Sequence, residues 1–296
     1  MDELSGSIVP LVTPFLMDEK IDFAGLKKLL NFHECASTTA LIIAGSTGEG
    51  TLLSMDEREK LIEYVVKNSE LPIWVGVSAL NYDHAMRLVT QASECGADGV
   101  MVTAPLYVRA NQQGLLSYFS KLADASDLEV LLYNHPERTG SVIEVETACI
   151  LSEHSNIIGI KDTLIHEERM QAYQQAGTDF SVLCGDDRQI MMCLANGGSG
   201  AISVIGNLLP ELVQTVCLLS SKQLFKKASS ITLRWQPLVE VLSYSNPSAI
   251  KYAMYKQGLI EAIVKPPLTG LSEYQKTKVD EILVNLQPLL NLNPDF

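Results

Sequence analysis

The feature that most constrains this fold is an alternation of short apolar runs with longer amphipathic segments. The apolar runs recur roughly every 25 to 30 residues, and each is followed by a segment with helical periodicity. This alternation is typical of a parallel sheet whose strands are joined by helices. Eight strands are predicted: Ser7–Val12, Ala40–Ala44, Pro72–Val77, Gly99–Thr103, Glu129–Tyr133, Ile157–Lys161, Phe180–Cys184 and Gly200–Val204.

Eight strands with intervening helices predict an α/β fold of the closed (β/α)8 type, the TIM barrel, over residues 1–223. An open doubly wound sheet is the rival, but no Gly-x-Gly-x-x-Gly follows the first strand, where a dinucleotide site would place it. Helix starts are recognisable too. Ser54 and Glu57 form a predicted capping box, and Asn81 and Asp83 offer caps to the next helix.

Beyond Leu224 the strand signals stop and helical periodicity continues. We therefore predict a small C-terminal helical appendage over residues 224–296. Asn246-Pro247 and Lys265-Pro266-Pro267 should divide it, because proline disfavours α geometry in the residue before it. The predicted helices are Leu224–Leu242, Ser248–Gln257 and Ser272–Leu290.

Composition excludes several kinds of partner. The net charge is −13 and no basic cluster exceeds a pair, so nucleic acid is not expected to bind. No apolar run is long enough to span a membrane, and Asp2 and Glu3 stand where a signal peptide would be basic, so a cytoplasmic location is predicted. The six cysteines are not closely spaced in the sequence. None of the five histidines has a paired acid and a second metal ligand nearby. We expect buried thiols and no metal site.

Lys161 ends the apolar run of the sixth strand. Active sites of (β/α)8 barrels lie at the C-terminal ends of the strands, so this position is a candidate for catalysis. Burial favours a neutral amine over an ammonium, and a neutral amine can attack a carbonyl to form a Schiff base. The alternative is a lysine that extends to solvent or pairs with Asp186 or Asp187.

Other polar residues follow neighbouring strands. The turn Gly45–Gly50 carries the hydroxyls of Ser46 and Thr47 and could offer backbone N–H groups to a carboxylate or phosphate, although an ordinary tight turn explains it equally well. Tyr133 ends the fifth strand and could transfer a proton, or simply pack in the core. Arg138 follows it and could bind a carboxylate with two hydrogen bonds.

At these residues the sequence resembles the dihydrodipicolinate synthases, within the wider family of pyruvate-dependent class I lyases that includes N-acetylneuraminate lyase. The resemblance extends nearly end to end. The arginine at position 138 resembles the pattern of the synthase branch, because the neuraminate lyases generally carry another residue at this position. The matching motifs are Gly6–Val9, Gly45–Glu49, Ala104–Tyr107, Tyr133–Gly140, Ile157–Asp162, Gly185–Asp187 and Gly200–Ser203.

The resemblance implies a lyase that condenses pyruvate with L-aspartate 4-semialdehyde to 4-hydroxy-tetrahydrodipicolinate, the first committed step of lysine and diaminopimelate biosynthesis. It implies no cofactor and a homotetramer built as a dimer of dimers. By this resemblance, Lys161 forms an imine with pyruvate and Thr47 binds the pyruvate carboxylate. Tyr133, Ser46 and a Tyr107 from a neighbouring subunit form a proton relay. Arg138 binds the carboxylate of the aldehyde, and Gly185 and Ile202 line the pocket.

The sequence also departs from the family pattern. Ser46 stands where a threonine is usual, and Asp162-Thr163-Leu164 lacks the usual small residue and glycine. The stretches that bind lysine in lysine-inhibited members differ here, so weak or absent lysine inhibition is predicted; they contain Met55, Arg58, Leu80, His84 and Leu106. The alternatives are another pyruvate-dependent aldolase or dehydratase acting on a sugar acid, a catalytically idle keto-acid-binding homologue, and a phosphate-binding barrel enzyme.

Overall fold

Eight parallel strands form one closed barrel in chain order in the computed structural model, which describes residues 4–177 and 179–290. Asp2 and Glu3, which entered the prediction of location, lie outside these ranges. The last strand closes the barrel on the first, with Ile202 opposite Ile8. The strands are β1 Gly6–Pro10, β2 Ala40–Ile43, β3 Ile73–Val77, β4 Gly99–Thr103, β5 Glu129–Asn134, β6 Ile157–Asp162, β7 Ser181–Cys184 and β8 Gly200–Ile202.

Helices follow the strands on the outside of the barrel. The predicted (β/α)8 architecture and the C-terminal helices are confirmed. Two short 3-10 helices, Gly50–Leu52 and Ile205–Asn207, complete the described elements. The α-helices are α1 Phe23–Cys35, α2 Met55–Asn68, α3 Tyr82–Glu94, α4 Gln112–Asp124, α5 Pro136–Thr139, α6 Val145–Leu151, α7 Glu167–Tyr173, α8 Ile190–Ala195, α9 Pro210–Ser221, α10 Phe225–Leu242, α11 Ser248–Lys256 and α12 Glu273–Leu290.

Local sequence signals set the helix starts. The predicted capping box is present at α2, where Ser54 Oγ accepts the Glu57 amide at 3.2 Å and the Glu57 carboxylate accepts the Ser54 amide at 2.9 Å. Asn81 caps α3 by accepting the His84 amide at 2.9 Å. Asp83 lies within the first turn of α3 instead of at its cap, so that half of the prediction was wrong.

Half of the sixteen strand ends agree with the predictions, and the others differ by one or two residues. The two-residue differences are at the ends of β1 and β8, and β8 ends at Ile202 because the chain turns into the 3-10 helix Ile205–Asn207. Strand residues alternate between two apolar environments, as expected for parallel strands covered on both faces. One set fills the barrel interior, and the other packs beneath the helices. The interior set is Ile8, Ala40, Ile42, Trp74, Met101, Leu131, Tyr133, Leu183 and Ile202.

The C-terminal helices pack against the barrel layer. α10 lies against α9 and α12, and its Trp235 is fully buried. α10 ends at Leu242, before the Asn246-Pro247 pair that was predicted to break the helical region. The division of the chain at residue 223 stays a prediction. None of the helices in the described ranges is both long and apolar enough to cross a membrane.

Candidate active site

Lys161 and Tyr133 lie side by side at the C-terminal ends of β6 and β5. They are partners in the strand register, and both are buried. The Lys161 Nζ atom lies 4.3 Å from the centroid of the Tyr133 ring. Within residues 4–177 and 179–290 Lys161 forms no salt bridge, and Asp186 pairs with Arg188 instead. Lys161 therefore forms no direct ion pair with either aspartate in the described ranges, although its charge acts to lower the pKa of Asp187.

The turn after β2 brings two hydroxyls to the same end of the barrel. Thr13 Oγ1 donates to the Gly48 carbonyl at 2.7 Å, and a Cβ on Gly48 would lie 2.8 Å from the Leu11 carbonyl oxygen. Only glycine allows this close approach to the chain that follows β1. Ser46 is partly exposed, whereas Thr47 is buried and its Oγ1 accepts Asn246 Nδ2 at 3.2 Å.

Two cavities adjoin at this end of the barrel. The first has a volume of about 350 Å³ and is lined by Ser46, Tyr133 and Arg138, among others. The second has a volume of about 360 Å³ and is lined by Arg138 and Gly185. Lys161 is not among the residues that line either cavity, but it contacts the Tyr133 ring of the first, and its Cε would be 3.1 Å from a Cβ on Gly185 of the second. A glycine at position 185 thus leaves room for the lysine side chain.

The structure brings most of the sequence-predicted residues to one place. Lys161, Tyr133, Ser46, Arg138 and Gly185 border the two cavities or contact the residues that do. Thr47 lies in the same turn as Ser46.

Two predicted residues lie elsewhere. Ile202 is 1% exposed in the barrel interior and shares the apolar cluster with Tyr133. Tyr107 is 91% exposed, has a positive φ of 72°, and lines neither cavity of this chain. The roles implied for both residues stay predictions.

Sequence reasoning missed the role of Glu49. Its carboxylate is buried, accepts the Lys265 amide at 2.7 Å and forms a short ion pair with buried Lys251. Burial lowers the pKa of Lys251 to about 8, although Glu49 opposes that shift. Lys251 also donates to the Ile263 carbonyl at 2.8 Å. The pair therefore ties the hydroxyl turn to the C-terminal region, across about 200 residues of sequence.

His135, directly after β5, was also passed over as a site residue. It lines both cavities, and its ring centroid lies 5.5 Å from that of Tyr133. Burial, assisted by the charges of Arg138 and Lys161, lowers the pKa of His135 to about 4. The imidazole is therefore neutral at pH 7. Its place at a strand end was the signal that could have identified it.

Behind Lys161 lies a buried network formed by Asn134, Asp162, Arg169 and Tyr173, which we call the outer network. The Asp162 carboxylate accepts Asn134 Nδ2 at 2.9 Å, Arg169 Nε at 2.5 Å and the Tyr173 hydroxyl at 2.6 Å. Arg169 also donates to the Ile143 carbonyl at 2.6 Å. Burial and the Asp162 charge raise the pKa of Tyr173 well above its usual value. The network joins β5 to β6 one residue beyond Tyr133 and Lys161.

A sequence model of the dihydrodipicolinate synthetase family matches residues 3–286. The chain belongs to this family. The resemblance inferred from the strand-end residues is confirmed.

Individual members agree in sequence and in structure. A protein from Alkaliphilus oremlandii named 4-hydroxy-tetrahydrodipicolinate synthase is 37% identical over 93% of this chain and 96% of its own. The crystal structure of a dihydrodipicolinate synthase from Acinetobacter baumannii complexed with pyruvate superposes with a TM-score of 0.92 at 32% identity, over 95% of this chain and 98% of that one. A monomeric dihydrodipicolinate synthase variant superposes with a TM-score of 0.91 at 29% identity, over 95% and 96% of the two chains.

Proposed function

We propose that the chain condenses pyruvate with L-aspartate 4-semialdehyde, through a Schiff base on Lys161, to give 4-hydroxy-tetrahydrodipicolinate. The observation that carries the proposal is the environment of Lys161. Its amine is buried beside a phenol, and the described residues give it no carboxylate partner. An amine at the strand-end rim of a (β/α)8 barrel, beside a phenol and outside any salt bridge, is placed to attack a carbonyl carbon. Family membership and the pyruvate complex of the Acinetobacter relative support the same assignment.

The chemistry follows from the groups at the strand ends. The Lys161 amine attacks the carbonyl carbon of pyruvate, and loss of water forms the imine. Removal of a methyl proton gives an enamine, whose carbon attacks the aldehyde, and the aldehyde oxygen takes up a proton. The amino group of the second substrate then displaces Lys161 from the imine carbon and closes the ring. Tyr133 and Ser46, which line the first cavity, are the groups that transfer these protons.

Two substrate carboxylates need binding groups. Thr47 and the neighbouring backbone amides hold the carboxylate of pyruvate in this proposal. Arg138 holds that of the aldehyde, because its guanidinium borders both cavities and forms no ion pair with any described carboxylate.

We also propose that the chain assembles as a tetramer in which Tyr107 enters the site of a neighbouring copy. Tyr107, Val108 and Leu80 are 91%, 59% and 57% exposed, which is unusual for side chains of this kind. The Leu106 amide donates to the Ala79 carbonyl at 2.9 Å, so the loops that carry these residues adjoin. A second copy covering these loops would bury them and supply the third group of the proton relay.

Borohydride reduction in the presence of pyruvate tests the imine. Intact mass should show one pyruvate-sized adduct on the wild type and none on Lys161→Ala. Lys60→Ala, a change on the surface of α2, is the matched control and should retain the adduct.

The aldehyde is then tested by turnover. Consumption of pyruvate with L-aspartate 4-semialdehyde, at a rate at least about 100-fold above that with a sugar-acid aldehyde, is expected. A wild type without an adduct, or an adduct that persists in Lys161→Ala, would contradict the Schiff-base mechanism. An adduct with preferred turnover of the sugar-acid aldehyde would assign a different aldolase activity.

A further inference from the structure

The ion pair between Glu49 and Lys251 is the most deeply buried one among the described residues, because neither side chain is exposed to solvent. Burying two charges costs desolvation free energy, and apolar side chains of similar volume often stabilise a fold as well as such a pair does. An ion pair differs from an apolar contact in that it fixes the direction in which two groups approach each other. The segments that this pair joins therefore indicate its role.

Glu49 uses both carboxylate oxygens for contacts with the C-terminal region. Its Oε1 accepts Lys251 Nζ from α11, and its Oε2 accepts the Lys265 amide at 2.7 Å. Lys251 also donates to the Ile263 carbonyl at 2.8 Å, and its Nζ lies 4.2 Å from the centroid of the Phe15 ring, in the chain that follows β1. Contacts with three other segments therefore hold the Glu49 side chain in one position.

The backbone of the hydroxyl turn explains why the position of Glu49 matters. Its φ is 57°, in the left-handed region that residues with a Cβ rarely adopt, so the surrounding structure must hold it there. The Glu49 amide donates to the Ser46 carbonyl at 3.3 Å and closes the turn. Within residues 4–177 and 179–290, the amides of Thr47 and Gly48 have no acceptor. Thr47 Oγ1 accepts Asn246 Nδ2 at 3.2 Å, which leaves the Thr47 hydroxyl proton free to donate.

We propose that Glu49 and Lys251 are positioning residues for pyruvate: their ion pair fixes the turn so that the donors of Thr47 and Gly48 face the pyruvate carboxylate together. The inference rests on the proposed function and deepens it, because it assigns the geometry of carboxylate binding to a contact across about 200 residues of sequence. Both oxygens of Glu49 are already engaged, so it acts through the turn. Neutral donors bind an anion well only when they are held in the right direction.

The test compares pyruvate with methyl pyruvate, which presents the same ketone to Lys161 but lacks the carboxylate charge. The quantity measured is the ligand concentration that gives half of the maximal borohydride adduct. The variant carries Glu49→Gln together with Lys251→Met, so that neither side leaves a buried charge unpaired. Its half-saturating concentration should rise by about 10-fold or more for pyruvate and by less than about threefold for methyl pyruvate.

Two single variants accompany this measurement. Lys256→Met is the matched control, because it breaks an ion pair of the same helix, the exposed one with Asp280 at 3.2 Å, and should change neither concentration. Glu49→Asp keeps both charges of the buried pair and shortens one side chain by a methylene. It should raise the half-saturating concentration of pyruvate by about three- to tenfold and leave that of methyl pyruvate unchanged.

The outcomes separate positioning from other roles. An equal rise for both ligands would show that the pair supports the whole site, Lys161 included, and would overturn the proposal. So would a half-saturating concentration of pyruvate that stays unchanged in the double variant and in Glu49→Asp. Loss of the folded circular dichroism spectrum in both would assign the pair to folding, against a positioning role. A wild type without a pyruvate adduct would refute the proposed function itself, whereas each of the other results leaves the wild-type adduct intact and refutes the positioning role alone.

Discussion

Lys161 and Asp162 are neighbours on β6, yet the carboxylate of Asp162 is fully paired and the amine of Lys161 is not. Asp162 points towards α7, where Asn134, Arg169 and Tyr173 satisfy its carboxylate. Lys161 lies on the other face of the strand, beside Tyr133 and the two cavities, with no anionic partner in the described residues. Strand geometry explains the separation, because successive side chains point to opposite faces.

The comparison shows that one set of polar side chains stabilises the fold and another is available for function. The outer network pairs its buried charges, so it holds the ends of β5 and β6 in place. On the cavity side, charged and polar groups have no partner among the described residues, which costs stability and leaves these groups able to bind substrates. Changes on the two sides should therefore have different effects on the free energy of unfolding and on turnover.

The largest expected loss of stability comes from Arg169→Met. This change leaves the Asp162 charge buried without its ion-pair partner, so the free energy of unfolding should fall by about 3–5 kcal/mol. Urea unfolding followed by circular dichroism measures it. Adding Asp162→Asn removes the stranded charge and should restore part of the loss. A fall below about 1 kcal/mol in the single variant would mean that the network does not hold the strands.

A smaller loss is expected from Tyr173→Phe. It removes one hydrogen bond to the Asp162 carboxylate and keeps the Arg169 pair, so the free energy of unfolding should fall by about 1–3 kcal/mol. The same urea titration provides the value. An unchanged transition midpoint would show that the Tyr173 hydroxyl contributes nothing net to the network.

The smallest effect on stability is expected on the cavity side, from Arg138→Met. No described ion pair is lost, so the free energy of unfolding should change by no more than about 0.5 kcal/mol. The value of kcat/KM for the aldehyde should nevertheless fall by about 100-fold, because a charge-assisted carboxylate contact is removed. Initial rates at saturating pyruvate check this. A large loss of stability with unchanged kinetics would reverse the assignment of the two regions.

Much of the fold follows from patterns of short range. The count of eight strands came from apolar runs and turn residues, which report burial and backbone geometry within a few positions. The capping box of Ser54 and Glu57 is equally local. Strand ends also located Lys161, Tyr133, Ser46 and Arg138, because a parallel barrel gathers those ends at one rim. The exact end of β8 was missed, since the 3-10 helix after it carries no distinct local signal.

The sequence by itself determined the barrel, the rim and the identity of the lysine that lies there, because hydrophobic periodicity and residue chemistry are properties of neighbouring positions. Only the tertiary structure decided which polar groups are paired. Glu49 forms an ion pair with Lys251, and Thr47 accepts a hydrogen bond from Asn246. His135 and Asp187 line the same cavity. All of these residues come from distant parts of the chain. Pairing between such positions depends on how the strands close and where the C-terminal helices pack, and no spacing rule in the sequence encodes those distances.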